Sequence, residues 1–149
     1  MQSPKLAQVA FVVADMDAAI ARWRAALGLP EPHVVVTDPG SAVRMDYRGI
    51  PSDAKAKLAF FDLGGVQLEL IQPIGEDSAW AEGLRDREGF HHLAFWTEDM
   101  EVESSQLAGC EIHQAQRGDM GEGQYAYYDA GGALGAWIEL LQHKRPEGS

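Results

Sequence analysis

One cysteine, Cys110, stands in the whole chain of 149 residues. No disulfide can form within the chain, and a reducing compartment is expected. Basic residues are also scarce: 12 Lys and Arg face 23 Asp and Glu, for a formal net charge of −11. That balance argues against nucleic acid, where affinity comes mostly from cations that neutralise phosphates. It argues equally against an anionic membrane surface. A phosphorylated small ligand stays compatible, since a few local cations or helix N-termini suffice to hold one. No apolar run approaches the ~20 residues of a membrane span. No secretory leader is legible, because the apolar run 9–13 is short and is cut off by Asp15. Low-complexity segments are missing too. The expectation is a cytoplasmic protein with a small-molecule substrate and neither nucleic acid nor membrane as partner.

What the chain does contain, it contains twice. Gln8-Val9-Ala10-Phe11 with Asp15-Met16-Asp17 returns as His92-Leu93-Ala94-Phe95 with Asp99-Met100-Glu101, at a shift of 84 residues. Leu58-Ala59-Phe60-Phe61-Asp62-Leu63-Gly64-Gly65 returns as Tyr125-Ala126-Tyr127-Tyr128-Asp129-Ala130-Gly131-Gly132, at a shift of 67. Gln67-Leu68-Glu69-Leu70 then matches Trp137-Ile138-Glu139-Leu140 at a shift of 70, so three residues are inserted after the glycines of the second copy. Internal repetition of this kind marks two structural modules that share one body. The length suits a single compact unit with a real core.

Residue patterns order each module as β-α-β-β-β. In the first, 6–13 reads as a strand and Asp15 as the N-cap of a helix whose apolar positions are Ala19, Ile20, Trp23, Ala26 and Leu27. Gly28 followed by Pro30 ends that helix. Strands are expected at 33–37, 57–63 and 66–72, with a possible short one at 42–47, a loop at 49–53 and a hairpin turn at Gly64-Gly65. In the second module, 90–96 reads as strand and a helix runs from Asp99 to Gly109. Further strands are expected at 111–116, 124–129 and 136–142. The modules occupy 1–73 and 90–143. Between them 74–89 is a connector with a short helix capped by Ser78, and 144–149 reads as a tail.

Strand side chains alternate between faces. Gln8 therefore shares a face with Ala10 and Val12, and His92 shares the equivalent face with Ala94 and Trp96. Glu69 and Glu139 stand in matching registers inside otherwise apolar strands, where a carboxylate is costly to bury unless paired or bound to a metal. If the two copies pack about a pseudo-twofold axis, Gln8, Glu69, His92 and Glu139 meet. An isolated glutamate in a strand is ordinarily solvent-facing and an isolated histidine ordinarily structural, so the weight lies in the duplicated positions. His91, pointing to the opposite face, reads as structural. Tyr125, Tyr127, Tyr128 and Trp137 fit buried core positions, with pocket lining as the alternative.

Over roughly 6–142 the chain resembles the vicinal oxygen chelate superfamily, which includes glyoxalase I, methylmalonyl-CoA epimerase, extradiol dioxygenases and bleomycin-resistance proteins. The resemblance lies in the Gln8 and Asp15 segments, Leu68-Glu69-Leu70-Ile71-Gln72-Pro73, Phe90-His91-His92-Leu93-Ala94-Phe95 and Trp137-Ile138-Glu139-Leu140. It implies an α+β fold of two tandem βαβββ modules related by pseudo-twofold symmetry, whose curved mixed sheets enclose one metal site. It implies the metal ligands Gln8, Glu69, His92 and Glu139, with Glu139 and Glu69 as catalytic groups and one divalent ion, Zn, Ni, Co or Mn. It further implies an isomerase, epimerase or lyase that stabilises the enolate of an acyl-CoA or thioester-like substrate, in a homodimer. The connector and the His91-His92 pair look like the epimerases. The ligand set looks like some glyoxalase I (lactoylglutathione lyase) enzymes, and a non-catalytic binding protein of the same fold is the third reading. Asp46 and Asp53 are candidates for the additional base of the epimerases.

Overall fold

In a computed structural model, described for residues 4–143, the chain forms one ten-stranded mixed sheet with helices on its faces. The elements are β1 (Lys5–Val12), α1 (Met16–Leu27), β2 (His33–Val36), β3 (Asp46–Tyr47), β4 (Ile50–Pro51), β5 (Lys55–Asp62) and β6 (Gln67–Ile74). They continue with α2 (Ala79–Asp86), β7 (Gly89–Trp96), α3 (Met100–Gly109), β8 (Gln114–Met120), β9 (Gly123–Ala130), α4 (Gly131–Leu134) and β10 (Ala136–Gln142). The expected tail from Lys144 lies outside the described residues. Among the described residues no helix is long and apolar enough to cross a membrane.

The strand order is β2-β5-β6-β1-β7-β10-β9-β8-β3-β4. Antiparallel pairing of β1 with β7 is the seam. Outward from it, β6, β5 and β2 lie on one side and β10, β9 and β8 on the other, and both seam strands pair in parallel with their outer neighbour. The expected pseudo-twofold symmetry is therefore present, with the two halves joined edge to edge in one chain.

Local chemistry builds the helices in the same duplicated way. The Asp15 carboxylate accepts from the Ala18 N–H, and Asp99 accepts from the N–H groups of Glu101 and Val102. Gly28, at φ 65°, closes α1 in the left-handed conformation that glycine adopts without strain. The first N–H of each long helix is received by the glutamine near the end of its own half's last strand. Met16 N donates to Gln72 Oε1 at 2.8 Å and Met100 N to Gln142 Oε1 at 2.6 Å. Those two bonds tie each helix to the parallel strand pair it covers. The core is accordingly in three parts. One fills the concave face around Ala10, Ala94, Trp80 and Tyr127, and the other two lie under α1 and under α3.

The possible strand at 42–47 is corrected. A 3-10 turn occupies Gly40–Val43, and only Asp46–Tyr47 is extended. Its partner is β8 of the other half, with Asp46 opposite Arg117 and Tyr47 opposite Gln116. The segment between β2 and β5 thus leaves one edge of the sheet and completes the other. The expected loop at 49–53 contains β4, which pairs with β3, and the strand expected at 111–116 lies instead at Gln114–Met120. Gly40 pins the crossover. A Cβ added there would lie 2.0 Å from the Ser52 carbonyl oxygen, and backbone cannot swing away as a side chain does. Gly40→Ala is expected to cost roughly 1–3 kcal/mol by overpacking. The check is a lower urea midpoint at an unchanged slope.

Candidate metal centre

The site lies at the β1–β7 seam because the registers converge there. Glu69 on β6 and His92 on β7 both stand opposite Ala10, while Gln8 on β1 and Glu139 on β10 both stand opposite Ala94. Four polar side chains therefore surround two alanines, whose single methyl groups leave the space above the sheet open. Both alanines are fully buried.

Three of the four expected residues come together in one chain. His92 Nε2 is 3.1 Å from Glu139 Oε1 and 3.7 Å from Glu69 Oε1. The three ligand atoms lie within 4.8 Å of one another, and all three residues are buried. Among the described residues none of these three atoms has a hydrogen-bond partner. Gln8, half-buried, lines the same cavity and donates its amide nitrogen to Gln67 Oε1 at 3.0 Å. Neither Asp46 nor Asp53 lines that cavity. Asp53 instead accepts from the Ser41 hydroxyl and N–H and braces the crossover turn.

Burial sets the electrostatics. It pushes the Glu69 carboxyl well above the usual carboxylate range, with the nearby Glu139 adding to the rise. It pushes Glu139 up to about 8, against a smaller opposing contribution from the Tyr127 hydroxyl. It lowers His92 to about 3, so the imidazole is neutral. Two carboxyl groups and a neutral imidazole aimed at one point, with one oxygen of each carboxyl and the imidazole Nε2 lacking a hydrogen-bond partner among the described residues, are a costly arrangement for a metal-free interior. A divalent cation fits this donor set, since it binds deprotonated carboxylate and neutral imidazole together.

The cavity above these groups is about 360 Å³, within the range of small-molecule sites. Its walls are mostly apolar and aromatic, with Leu58, Phe60, Trp80, Trp96, Tyr125 and Tyr127 prominent. Trp80 comes from the connector helix α2 and donates its indole N–H to the Tyr127 hydroxyl at 2.9 Å. Of the four aromatic residues read from sequence, Tyr125 and Tyr127 line the cavity. Tyr128 packs under α3, and Trp137 stacks on His91 at 5.3 Å between ring centroids. Asp38 and Asp119 also reach the wall. Neither carries a sequence signal of its own, because the crossover and the far edge of the sheet bring them there.

His91 departs from its expected placement. The seam register passes from Ala10 opposite His92 to Phe11 opposite Phe90, so His91 is an extra residue on β7. Such a bulge re-aims side chains that strict alternation would send to opposite faces. As a result His91 Nδ1 lies 2.8 Å from His92 Nδ1.

The family model described as the glyoxalase/bleomycin resistance protein/dioxygenase superfamily matches residues 7–128. No curated protein matches by sequence at a significant level. Among solved structures, methylmalonyl-CoA epimerase from Mycobacterium tuberculosis superposes with a TM-score of 0.66 at 22% identity, over 95% of this chain and 89% of that one. A Streptomyces coelicolor methylmalonyl-CoA epimerase variant, in complex with 2-nitronate-propionyl-CoA, gives 0.67 at 22% identity, over 95% and 98%. A hypothetical protein from Bacillus halodurans C-125 gives 0.64 at 20% identity, over 99% of each chain. Matched over most of its length, and carrying the curved paired-module sheet of the vicinal oxygen chelate fold, the chain belongs to the glyoxalase/bleomycin resistance protein/dioxygenase superfamily.

Proposed function

We propose that this protein is a divalent-metal-dependent isomerase or epimerase that moves a proton on the carbon next to a substrate carbonyl. The observation that carries the reading is the convergence of three buried, partnerless ligand atoms from Glu69, His92 and Glu139. Gln8 Oε1 is the fourth ligand in this reading, because the Gln8 amide nitrogen is already committed to Gln67. A bound divalent ion supplies Lewis acidity that stabilises the enolate formed on proton loss. In this reading Glu139 and Glu69, the carboxylates beside the metal, hold and return the proton from opposite sides of the substrate. Trp80, Tyr125 and Tyr127 exclude water and orient the acyl group. All of this comes from one chain. A homodimer, expected from the resemblance, would not be needed to assemble the site.

An acyl thioester is the substrate class to test first, because the similar solved structures include methylmalonyl-CoA epimerase in complex with methylmalonyl-CoA. The lining here adds a preference. Among the described residues it includes the exposed Asp38 and neither lysine nor arginine. Its other aspartate, Asp119, is neutralised by a two-pronged ion pair with Arg44 at 2.8 and 3.0 Å. A second carboxylate on the acyl group would therefore meet no basic side chain and mild repulsion from Asp38. An acyl-CoA with an uncharged acyl group is expected to exchange its α-proton with deuterated solvent faster than the methylmalonyl thioester. The expected margin is about two- to threefold, equivalent to roughly 0.5 kcal/mol from one exposed charge. Faster exchange of the dicarboxylic thioester would reject the preference. Lactoylglutathione lyase activity is the second reading, favoured by the Gln, Glu, His, Glu donor set. Isomerisation of a glutathione hemithioacetal without α-proton exchange in any thioester would select it. Metal binding with no turnover of either class would leave a binding protein.

A further inference from the structure

We propose that His91 is a positioning residue that holds His92 in the Nδ1-protonated tautomer, turning the lone pair of Nε2 toward Glu69 and Glu139. The role rests on the metal-site reading of those three ligands and falls to a residue that touches neither the cavity nor the ligand atoms.

The chain of hydrogen bonds has only one direction. His91 Nε2 lies 2.9 Å from the Ala79 carbonyl oxygen, and a carbonyl accepts but never donates. His91 Nε2 therefore carries a proton. Both rings are buried, His91 at 3% exposure and His92 at 0%, so a second proton on His91 would place an imidazolium in the interior at high cost. A neutral His91 protonated at Nε2 presents a lone pair at Nδ1. The 2.8 Å contact between the two Nδ1 atoms then requires His92 to be the donor. With its proton at Nδ1, His92 has a lone pair at Nε2, the atom that faces the carboxylates and has no hydrogen-bond partner.

Packing holds the His91 ring where this relay needs it. One face stacks on Trp137 with 17° between planes. The edge lies against Gly83 of α2, where an added Cβ would be 2.2 Å from Cδ2 and 2.6 Å from Nε2. The connector helix thus supplies the acceptor through Ala79 and the clearance through Gly83. Its own N-terminus is fixed by Gln116, whose side-chain oxygen accepts from Ala79 N at 2.7 Å.

The internal duplication offers a comparison within the molecule. The seam is irregular a second time between Leu6 and Gln8, where Ala7 is the extra residue on β1. Ala7 and Gln8 correspond to His91 and His92 under the 84-residue shift. The copy whose ligand position is an amide, which has no tautomer to choose, places alanine at the bulge. The copy whose ligand position is an imidazole places there a side chain able to accept its proton.

The test is tautomer assignment by two-bond proton–nitrogen correlation spectra of the metal-free protein, with zinc affinity measured alongside. In the wild type, His92 is expected to show a protonated Nδ1 and an unprotonated Nε2, and His91 the reverse. A proton on His92 Nε2 would overturn the proposal. His91→Phe keeps a ring over Trp137 but no acceptor. It is expected to lose the single His92 tautomer and weaken zinc binding by about 10–100-fold, the usual effect of removing a ligand's outer partner. His91→Asn, which puts an oxygen near the Nδ1 position, is expected to recover part of both. A folded His91→Phe with the wild-type His92 signature and zinc affinity would also refute it. If His91→Phe does not fold, the wild-type spectrum decides alone. The expected spectrum with no zinc binding by the wild type would uphold the relay and reject the metal reading.

Discussion

Purified wild-type protein is expected to hold about one divalent ion per chain, and a His92→Ala/Glu139→Ala double variant none. The size of the effect comes from where the donors sit. Glu69 Oε1, His92 Nε2 and Glu139 Oε1 are buried with no hydrogen-bond partner among the described residues. Removing two of the three leaves a single carboxylate and the half-buried Gln8, too few to displace the water around a divalent ion. α-Proton exchange in a responsive thioester is expected to fall at least as far as loss of one acid–base group takes it, about 10²–10⁴-fold. Glu139→Gln separates the roles, since its amide oxygen keeps the shape and can still face the metal, as Gln8 does in the proposed site, but cannot take the proton. Elemental analysis gives the metal content and deuterium incorporation the rate. A wild type that stays metal-free after incubation with Zn, Ni, Co and Mn would sink the Lewis-acid mechanism.

The metal-free protein is expected to lose stability as pH rises from about 6.5 to about 8, and a bound divalent ion to flatten or reverse that loss. Glu69 and Glu139 have folded-state proton affinities above their unfolded values, Glu139 up to about 8. Above the usual glutamate range the unfolded chain has released these protons while the folded chain still holds them. Stability therefore falls with pH until the folded group titrates. His91 and His92 run the other way. Each is lowered to about 3, so between about 3 and the ordinary histidine value near 6.5 the unfolded chain binds the extra protons and stability rises with pH. The two tendencies oppose each other below about 6.5, and above it only the carboxylates act. One proton's difference corresponds to roughly 1.4 kcal/mol per pH unit. Thermal unfolding across this range, with and without zinc, is the measurement. A metal-free protein whose stability climbs steadily from 6.5 to 8 would contradict the burial assigned to the two glutamates.

Much of this centre is legible in the sequence because it is written there twice. The 84-residue shift pairs Gln8 with His92, and the 70-residue shift pairs Glu69 with Glu139, each inside an apolar strand of period two. Helix caps read correctly because capping is local: Asp15, Ser78 and Asp99 bond to N–H groups two or three residues away. The matching registers of these four residues and the helix starts were thus legible in residue type and spacing alone. Tertiary structure decided the rest. Alternation of faces has no means of registering an inserted residue, so only the bulge at the seam reveals that His91 turns to meet His92. The pairing of β3 with β8 joins segments about 70 residues apart, and no local pattern encodes such a partner. The same crossover carries Asp38 to the cavity, as α2 carries Trp80, because a wall assembled from distant segments is specified by how the sheet closes and not by the neighbours of any one residue.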